Sequence, residues 1–287
     1  MSLLKIIIMG VIQGLTEFLP VSSSGHLAIF SLVFGMDTDT GLFFDVLLHV
    51  GTLAAIFVAF WEDILALIKE GFGLLFDLCF NIGAFFGRKK YRELLATDYR
   101  RFVLLVILAS IPTAIIGILG KDMVERAGQS LLVPGICLIV TALLLFAASF
   151  SKGGSITERD CSFGKGLFIG LVQGIATLPG LSRSGSTVSA GLMCGFDKEF
   201  AVRYSFIMSV PAVLGAALLD LKDVAEDPSL LEGFPLYLIG MLVAGIVGYF
   251  SIKGMLAVVR NKKYHFFGIY CMLAGIAALA CHFIMGK

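Results

Sequence analysis

Across 287 residues the chain is 58% hydrophobic and only 15% charged, too little charge to cover a soluble domain of that size, so lipid is the expected solvent. A formal net charge of +1 gives no electrostatic reason to expect a nucleic-acid partner. Cys79, Cys137, Cys161, Cys194, Cys271 and Cys281 form no CxxC pair and no metal-ligand spacing, and read as small core residues.

Apolar runs fall at about 3–19, 22–34, 41–61, 102–119, 131–150, 163–178, 182–196, 199–219, 235–252 and 265–285. A spanning helix needs about 20 residues, because each adds about 1.5 Å and the hydrocarbon core is about 30 Å thick. The first run has no small-residue cleavage site and holds Gln13 and Glu17, so it reads as mature protein rather than a signal peptide. Arms 22–34 and 182–196 are too short to cross comfortably, and each follows its partner arm through a tight Pro/Ser/Gly break. Segments 1–34 and 162–196 are therefore expected to be re-entrant helical hairpins, whose broken backbone is tolerated only against protein or a wet cavity. The segment 62–87 is apolar but interrupted by Gly71, Gly73, Asp77 and Gly83. It is expected to be a cytoplasmic-side insertion lying at the interface. The loop Ser151–Asp160 and the acidic stretch Asp220–Glu232 read as solvated connections.

One segment occurs twice. Residues 10–27 read GVIQGLTEFLPVSSSGHL and residues 170–187 read GLVQGIATLPGLSRSGST, an offset of 160 that aligns Gly10 with Gly170, Gln13 with Gln173, Gly14 with Gly174, Ser22 with Ser182, Ser24 with Ser184 and Gly25 with Gly185. The expected fold is an all-α integral membrane protein built as an inverted-topology repeat in one integrated membrane domain. The first repeat, 1–150, has hairpin 1–34, spans 41–61, 102–119 and 131–150, and the insertion 62–101. The second, 162–287, has hairpin 162–196 and spans 199–219, 235–252 and 265–285. Three spans per half is odd, so the halves start on opposite sides, related by a pseudo-two-fold axis in the membrane plane. The larger share of Lys and Arg, including Arg88, Lys89, Lys90 and Arg92, falls on the side away from the N terminus. That side is expected to be cytoplasmic, with both termini outside.

The copies differ where chemistry would differ. Gln13 and Glu17 are four apart and share a helix face. An ionisable group at membrane depth costs at least about 2.5 kcal/mol and faces a cavity or a partner. Ser22, Ser23 and Ser24, then Gly25 and His26, follow a proline break. Serines there cap a helix whose free N–H groups suit an anion, and His26 adds an acid, base or nucleophile working near neutral pH. The second copy supplies Gly180, Ser182, Arg183, Ser184 and Thr187. Its guanidinium fork matches two phosphate oxygens. His49, His265 and His282 are weaker candidates, with His49 foremost because it is nearest in sequence to the first hairpin; Arg203 reads as a supporting charge. There is no P-loop, HExxH or GxSxG motif. The set suits binding and cleaving a phosphoanhydride at membrane depth. A transporter or lipid flippase is the competing class, because broken helices in inverted repeats are a general transporter design.

At these residues the chain resembles the bacitracin-resistance family of undecaprenyl-diphosphate phosphatases. The family's Glu/Gln-xxx-Glu pattern leading into Pro-x-Ser-Ser-x-Gly-His is matched by Gln13, Glu17, Pro20, Ser22, Ser23, Gly25 and His26. Its Pro-Gly-x-Ser-Arg-Ser-x-x-Thr pattern is matched by Pro179, Gly180, Ser182, Arg183, Ser184 and Thr187. Where many members have glutamate, this chain has Gln13, which leaves Glu17 as the motif's carboxylate. The resemblance implies a multi-pass enzyme of the bacterial plasma (inner) membrane, its site opening to the periplasmic or outer side. The enzyme would hydrolyse undecaprenyl diphosphate to undecaprenyl phosphate and inorganic phosphate, recycling the carrier for cell-wall synthesis and lowering bacitracin sensitivity. The resemblance also implies a divalent cation, Mg²⁺ or Ca²⁺, with Glu17 as ligand. Glu17, His26, Ser23 and Arg183 would do the chemistry, with His26, Ser23 or water attacking. Gln13, Ser22, Ser24, Gly25, Gly180, Ser182, Ser184 and Thr187 would hold the substrate. Membrane lipid is the other expected partner, and homo-oligomerisation is left open.

Overall fold

A computed structural model describes residues 2–34, 38–87, 90–151, 153–226 and 234–285. Among them the elements are helices: α1 (Leu3–Phe18), α2 (Ser23–Phe34), α3 (Thr38–Ala59), α4 (Trp61–Gly87), α5 (Asp98–Gly128), α6 (Leu132–Phe150), α7 (Phe163–Ile175), α8 (Arg183–Met193), α9 (Lys198–Glu226), α10 (Phe234–Arg260) and α11 (Tyr264–Met285). Helix starts follow local chemistry. The hydroxyls of Ser2, Thr97, Ser162 and Ser182 each accept a hydrogen bond from the backbone N–H three residues on, capping α1, α5, α7 and α8.

Among the described residues five helices, α5, α6, α9, α10 and α11, are long and apolar enough to cross a membrane, and α3 with α4 makes a sixth if that bent pair is one span. Outward side chains such as Leu119, Phe150, Phe250 and Leu273 are exposed, whereas Phe102, Leu105, Leu138 and Tyr204 are fully buried. An apolar outer surface around a packed interior is the pattern of a multi-pass membrane protein.

Four contacts organise the bundle: α1 and α3 both pack on α10, α7 on α5, and α6 on α11. Small residues let the backbones approach. A Cβ on Gly10 or Gly14 would come within 2.7 Å of a carbonyl of α10, and one on Gly170 within 2.2 Å of the Ala109 carbonyl of α5. Gly10, Gly14 and Gly170 thus each sit where two helices cross closely.

Some elements depart from the sequence expectation. The interrupted segment 62–87 is one continuous helix, α4, bent by 86° from the segment before it. Two of the interrupting residues, Asp77 and Gly73, are docking features rather than breaks. Asp77 takes Arg92 and Arg100 at 2.8 Å each, Asn81 bonds both backbone groups of Arg92, and Gly73 leaves room for the Arg100 guanidinium. In α4, which is not one of those five helices, hydrogen bonds from Arg92 and Arg100 hold the Asp77 carboxyl below its ordinary value. α5 runs on to Gly128, past the expected end near 119, with Lys121 and Glu125 paired one turn apart. α9 continues as helix through Glu226 into the stretch read as a connection, whose remainder, 227–233, lies outside the described residues. The loop 151–160 is tied down by a backbone bridge from Ile156 to Phe196 and by Glu158. All six cysteines are free; Cys137, Cys161 and Cys271 are buried, Cys79 and Cys281 exposed.

Candidate active site

Two helix breaks build the site. In the first, Pro20 cannot continue α1, and Ser22 takes the left-handed backbone (φ 71°) before α2 begins. A non-glycine residue there is uncommon and costs free energy, which concentrates at functional positions. The Ser22 hydroxyl accepts from the Gly25 N–H at 3.3 Å and lies 3.3 Å from the Ser24 hydroxyl. In the second break Gly180 is left-handed (φ 89°). Ser182 Oγ accepts from the Gly185 N–H at 3.0 Å and lies 3.4 Å from Ser184 Oγ.

The two breaks touch. A Cβ on Gly25 would lie 2.9 Å from Gly180 Cα, and one on Gly185 would lie 3.2 Å from Pro20 Cβ. Ser184 donates to the Leu19 carbonyl at 3.3 Å. α6 fastens the second break, with Thr141 Oγ1 donating to the Gly180 carbonyl and accepting from the Ser182 N–H.

Glu17 stands at the junction, 7% exposed. One carboxylate oxygen pairs with Arg183. The other accepts from the Ser23 hydroxyl at 2.5 Å and from Gln13 Nε2 at 3.1 Å, and His49 Nε2 lies 3.9 Å from it. A buried carboxylate persists only when paired and hydrogen-bonded, and here both conditions are met. A cavity of about 290 Å³ opens over this group. Glu17, Ser22, Ser23, Ser24, His49, Ser182 and Arg183 form its polar wall, with Thr113, Gln173 and Thr177; Val46, Leu181 and the α9 residues Ala212, Val213, Ala216 and Ala217 are apolar.

The other sequence candidates take supporting positions. Gln13 is fully buried beneath Glu17. Thr187 Oγ1 donates to the Arg183 carbonyl and lies 2.5 Å from Ser205 Oγ of α9, bracing the first turn of α8. His26 faces away from the cavity: Nδ1 lies 2.7 Å from the Ser22 carbonyl and Nε2 lies 2.6 Å from the Tyr270 hydroxyl, against which the ring stacks. A carbonyl only accepts, so Nδ1 carries the proton and Nε2 accepts from Tyr270. Arg203, read as a supporting charge, lies instead in an ion cluster with Asp63 at 3.1 Å and Glu158 at 2.6 Å, joining α9 to α4 and the 151–160 loop.

Sequence reasoning undervalued four cavity residues. Gln173 and Thr177 are the repeat mates of Gln13 and Glu17, so the offset pointed to them. Thr113 follows Pro112 inside α5, a weak signal. His49, foremost of the weaker histidine candidates, lines the cavity because α3 carries its ring to within 3.9 Å of Glu17.

No group of three or more His, Cys, Asp or Glu side chains able to hold a metal ion occurs among the described residues. The donors here include the Glu17 carboxylate and two buried carboxamide oxygens, Gln13 Oε1 and, in the cavity wall, Gln173 Oε1, neither of which has a hydrogen-bond partner among the described residues. Hard divalent cations are commonly held by one or two such oxygens together with substrate phosphates. The donor set therefore fits a cation shared with a bound phosphate rather than one caged by protein alone.

Residues 6–277 match the family described as bacitracin resistance protein BacA. A Methanosphaera stadtmanae protein named undecaprenyl-diphosphatase is 42% identical over 279 residues, covering 97% of this chain and 98% of that protein. Proteins of the same name from Alkaliphilus metalliredigens and Carboxydothermus hydrogenoformans are 39% and 38% identical, over 96% and 97% of this chain and 97% of each relative.

Proposed function

As this chain belongs to the bacitracin resistance protein BacA family, we propose that it hydrolyses undecaprenyl diphosphate to undecaprenyl phosphate and inorganic phosphate, recycling the lipid carrier for cell-wall synthesis and lowering bacitracin sensitivity. One observation carries the reading: Ser23, Glu17 and Arg183, drawn from two distant helix breaks, converge on one cavity.

Arg183 and the serine hydroxyls bind the diphosphate. Its guanidinium keeps donors beyond those pairing Glu17, and α2 and α8 both begin at the cavity, where unsatisfied N–H groups favour anions. The apolar α9 wall receives the first prenyl units. The Ser23 hydroxyl attacks the terminal phosphorus while Glu17 takes its proton; the phosphoanhydride bond breaks, its electron pair staying on the prenyl phosphate. Water later releases the phosphate. His26, with both ring nitrogens occupied, holds the first turn of α2 against α11. A divalent cation, Mg²⁺ or Ca²⁺, would be held by Glu17 together with the substrate phosphates and would neutralise charge on the leaving phosphate.

The same proposal extends to topology. Matching helix crossings at Gly10 and Gly170 support an inverted repeat of residues 1–150 and 162–287, with hairpins 1–34 and 162–196 re-entrant. The 86° bend supports α4 lying along the cytoplasmic interface of the plasma membrane, the site opening to the outer side.

Purified protein in detergent, given undecaprenyl diphosphate, should release inorganic phosphate and undecaprenyl phosphate in equal amounts. A lipid carrier on the same scaffold would release none, and that result would overturn the assignment.

A further inference from the structure

The cavity wall contains a histidine that the proposed first step does not use. His49 lies on α3, and its Nδ1 is 2.8 Å from the Asp45 carbonyl one turn earlier. A carbonyl oxygen only accepts, so this contact places the proton on Nδ1 and leaves the Nε2 lone pair free. Nε2 points to the cavity, 3.9 Å from the Glu17 oxygen that accepts from Ser23. That distance is too long for a direct hydrogen bond and too short for a water in line between the two atoms, so a water donating to Nε2 would sit beside the pair, in the cavity. His26 presents the opposite case, with its Nε2 already bonded to Tyr270.

Glu17 cannot serve twice. Once it has taken the Ser23 proton, it is neutral beside Arg183, and a different group must activate the water of the second step. We propose that His49 is that group, the general base that releases phosphate from phosphorylated Ser23; this rests on the phosphatase reading above. The water oxygen bonds to phosphorus as its proton passes to His49 Nε2. The Ser23 Oγ–P bond breaks, and Oγ recovers its proton from Glu17. Inorganic phosphate departs, and the imidazolium returns its proton to solvent, which reaches it because 36% of the His49 side chain is exposed.

Few charges tune this group. Glu17 faces it from α1, and Arg183 of α8 shares the cavity. The cavity-lining residues of α5, α7 and α9 carry no titratable group. The stretch of α10 between Tyr237 and Tyr249 has none either, and Asp45 meets the ring through its carbonyl.

The test uses the full chain in detergent with undecaprenyl diphosphate, measuring steady-state turnover and quenching within the first turnover. In the His49→Gln protein, steady-state phosphate release should fall about 10²-fold, with KM changed far less. A stoichiometric burst of undecaprenyl phosphate should remain, with phosphate trapped on Ser23. Free imidazole should restore turnover to His49→Gly, which guards against a merely misfolded variant. His49→Gln with wild-type release would overturn the proposal, as would slow variants with neither trapped phosphoserine nor imidazole rescue. Failure of the parent reading looks different: the wild-type chain itself would release no phosphate, and the role of His49 would fall with it.

Discussion

Arg183 occupies the repeat position of Ser23, so one alignment column supplies both the proposed anion clamp and the proposed nucleophile. Replacing Arg183 by Ala should lower kcat by about 10²–10³-fold, the usual effect of removing a preorganised transition-state donor. Arg183→Lys should recover only part of this, because a point charge lacks the planar fork. Steady-state phosphate release checks both. Stability should follow the ion pair. Glu17→Ala or Arg183→Ala alone strands a charge and should cost on the order of 3 kcal/mol, less for the Glu17 variant because Arg183 is partly exposed. The double variant should lose less than the two singles added together, read as denaturation midpoints in detergent.

At the level of elements, the breaks matter more than the helices they separate. Gly180 combines φ 89° with an ideal Cβ position 2.2 Å from the Pro134 carbonyl. Gly180→Ala should therefore displace the second break from α6 and cost about 2 kcal/mol or more, with turnover falling as Arg183 shifts. Gly83→Ala in α4 is the control: nothing lies within 4 Å of its Cβ position, and alanine should stabilise the helix by up to about 1 kcal/mol. Thermal melting distinguishes the two. The docking of α4 carries its own pH signature. The folded Asp77 carboxyl titrates below its unfolded value because Arg92 and Arg100 bond it. Its contribution is present in full above the unfolded value and disappears as pH falls through the folded one. The melting-temperature gap between wild type and Asp77→Asn should be steady from pH 7 to about 5 and close below about pH 4.

For the whole molecule, orientation is the open physical variable. The excess of Lys and Arg on one side predicts that 88–92 faces the cytoplasm. A single cysteine at exposed Lys90, with the native cysteines replaced, should react with an impermeant maleimide only in opened cells; labelling of intact cells would reverse the orientation. Much of the design is legible in the sequence because lipid imposes coarse rules. Composition and run length dictate apolar spanning helices, since no backbone group can go unbonded in hydrocarbon, and the duplicated Pro/Ser/Gly break marks Glu17, Ser23 and Arg183. Helix extents were less legible: α4 absorbs three glycines, because tertiary ion pairs at Asp77 outweigh local signals, and α9 continues as helix into an acidic stretch as far as Glu226. What the sequence determined by itself is chemistry that depends on residue type and near neighbours: a membrane solvent, two capped breaks, one carboxylate and one guanidinium. Only the tertiary structure decided which histidine faces the cavity, that Gln173 and Thr177 complete it, and that Arg203 serves a distant ion cluster. Those outcomes depend on where separate helices cross, and packing sets such crossings over separations along the chain that no local pattern encodes.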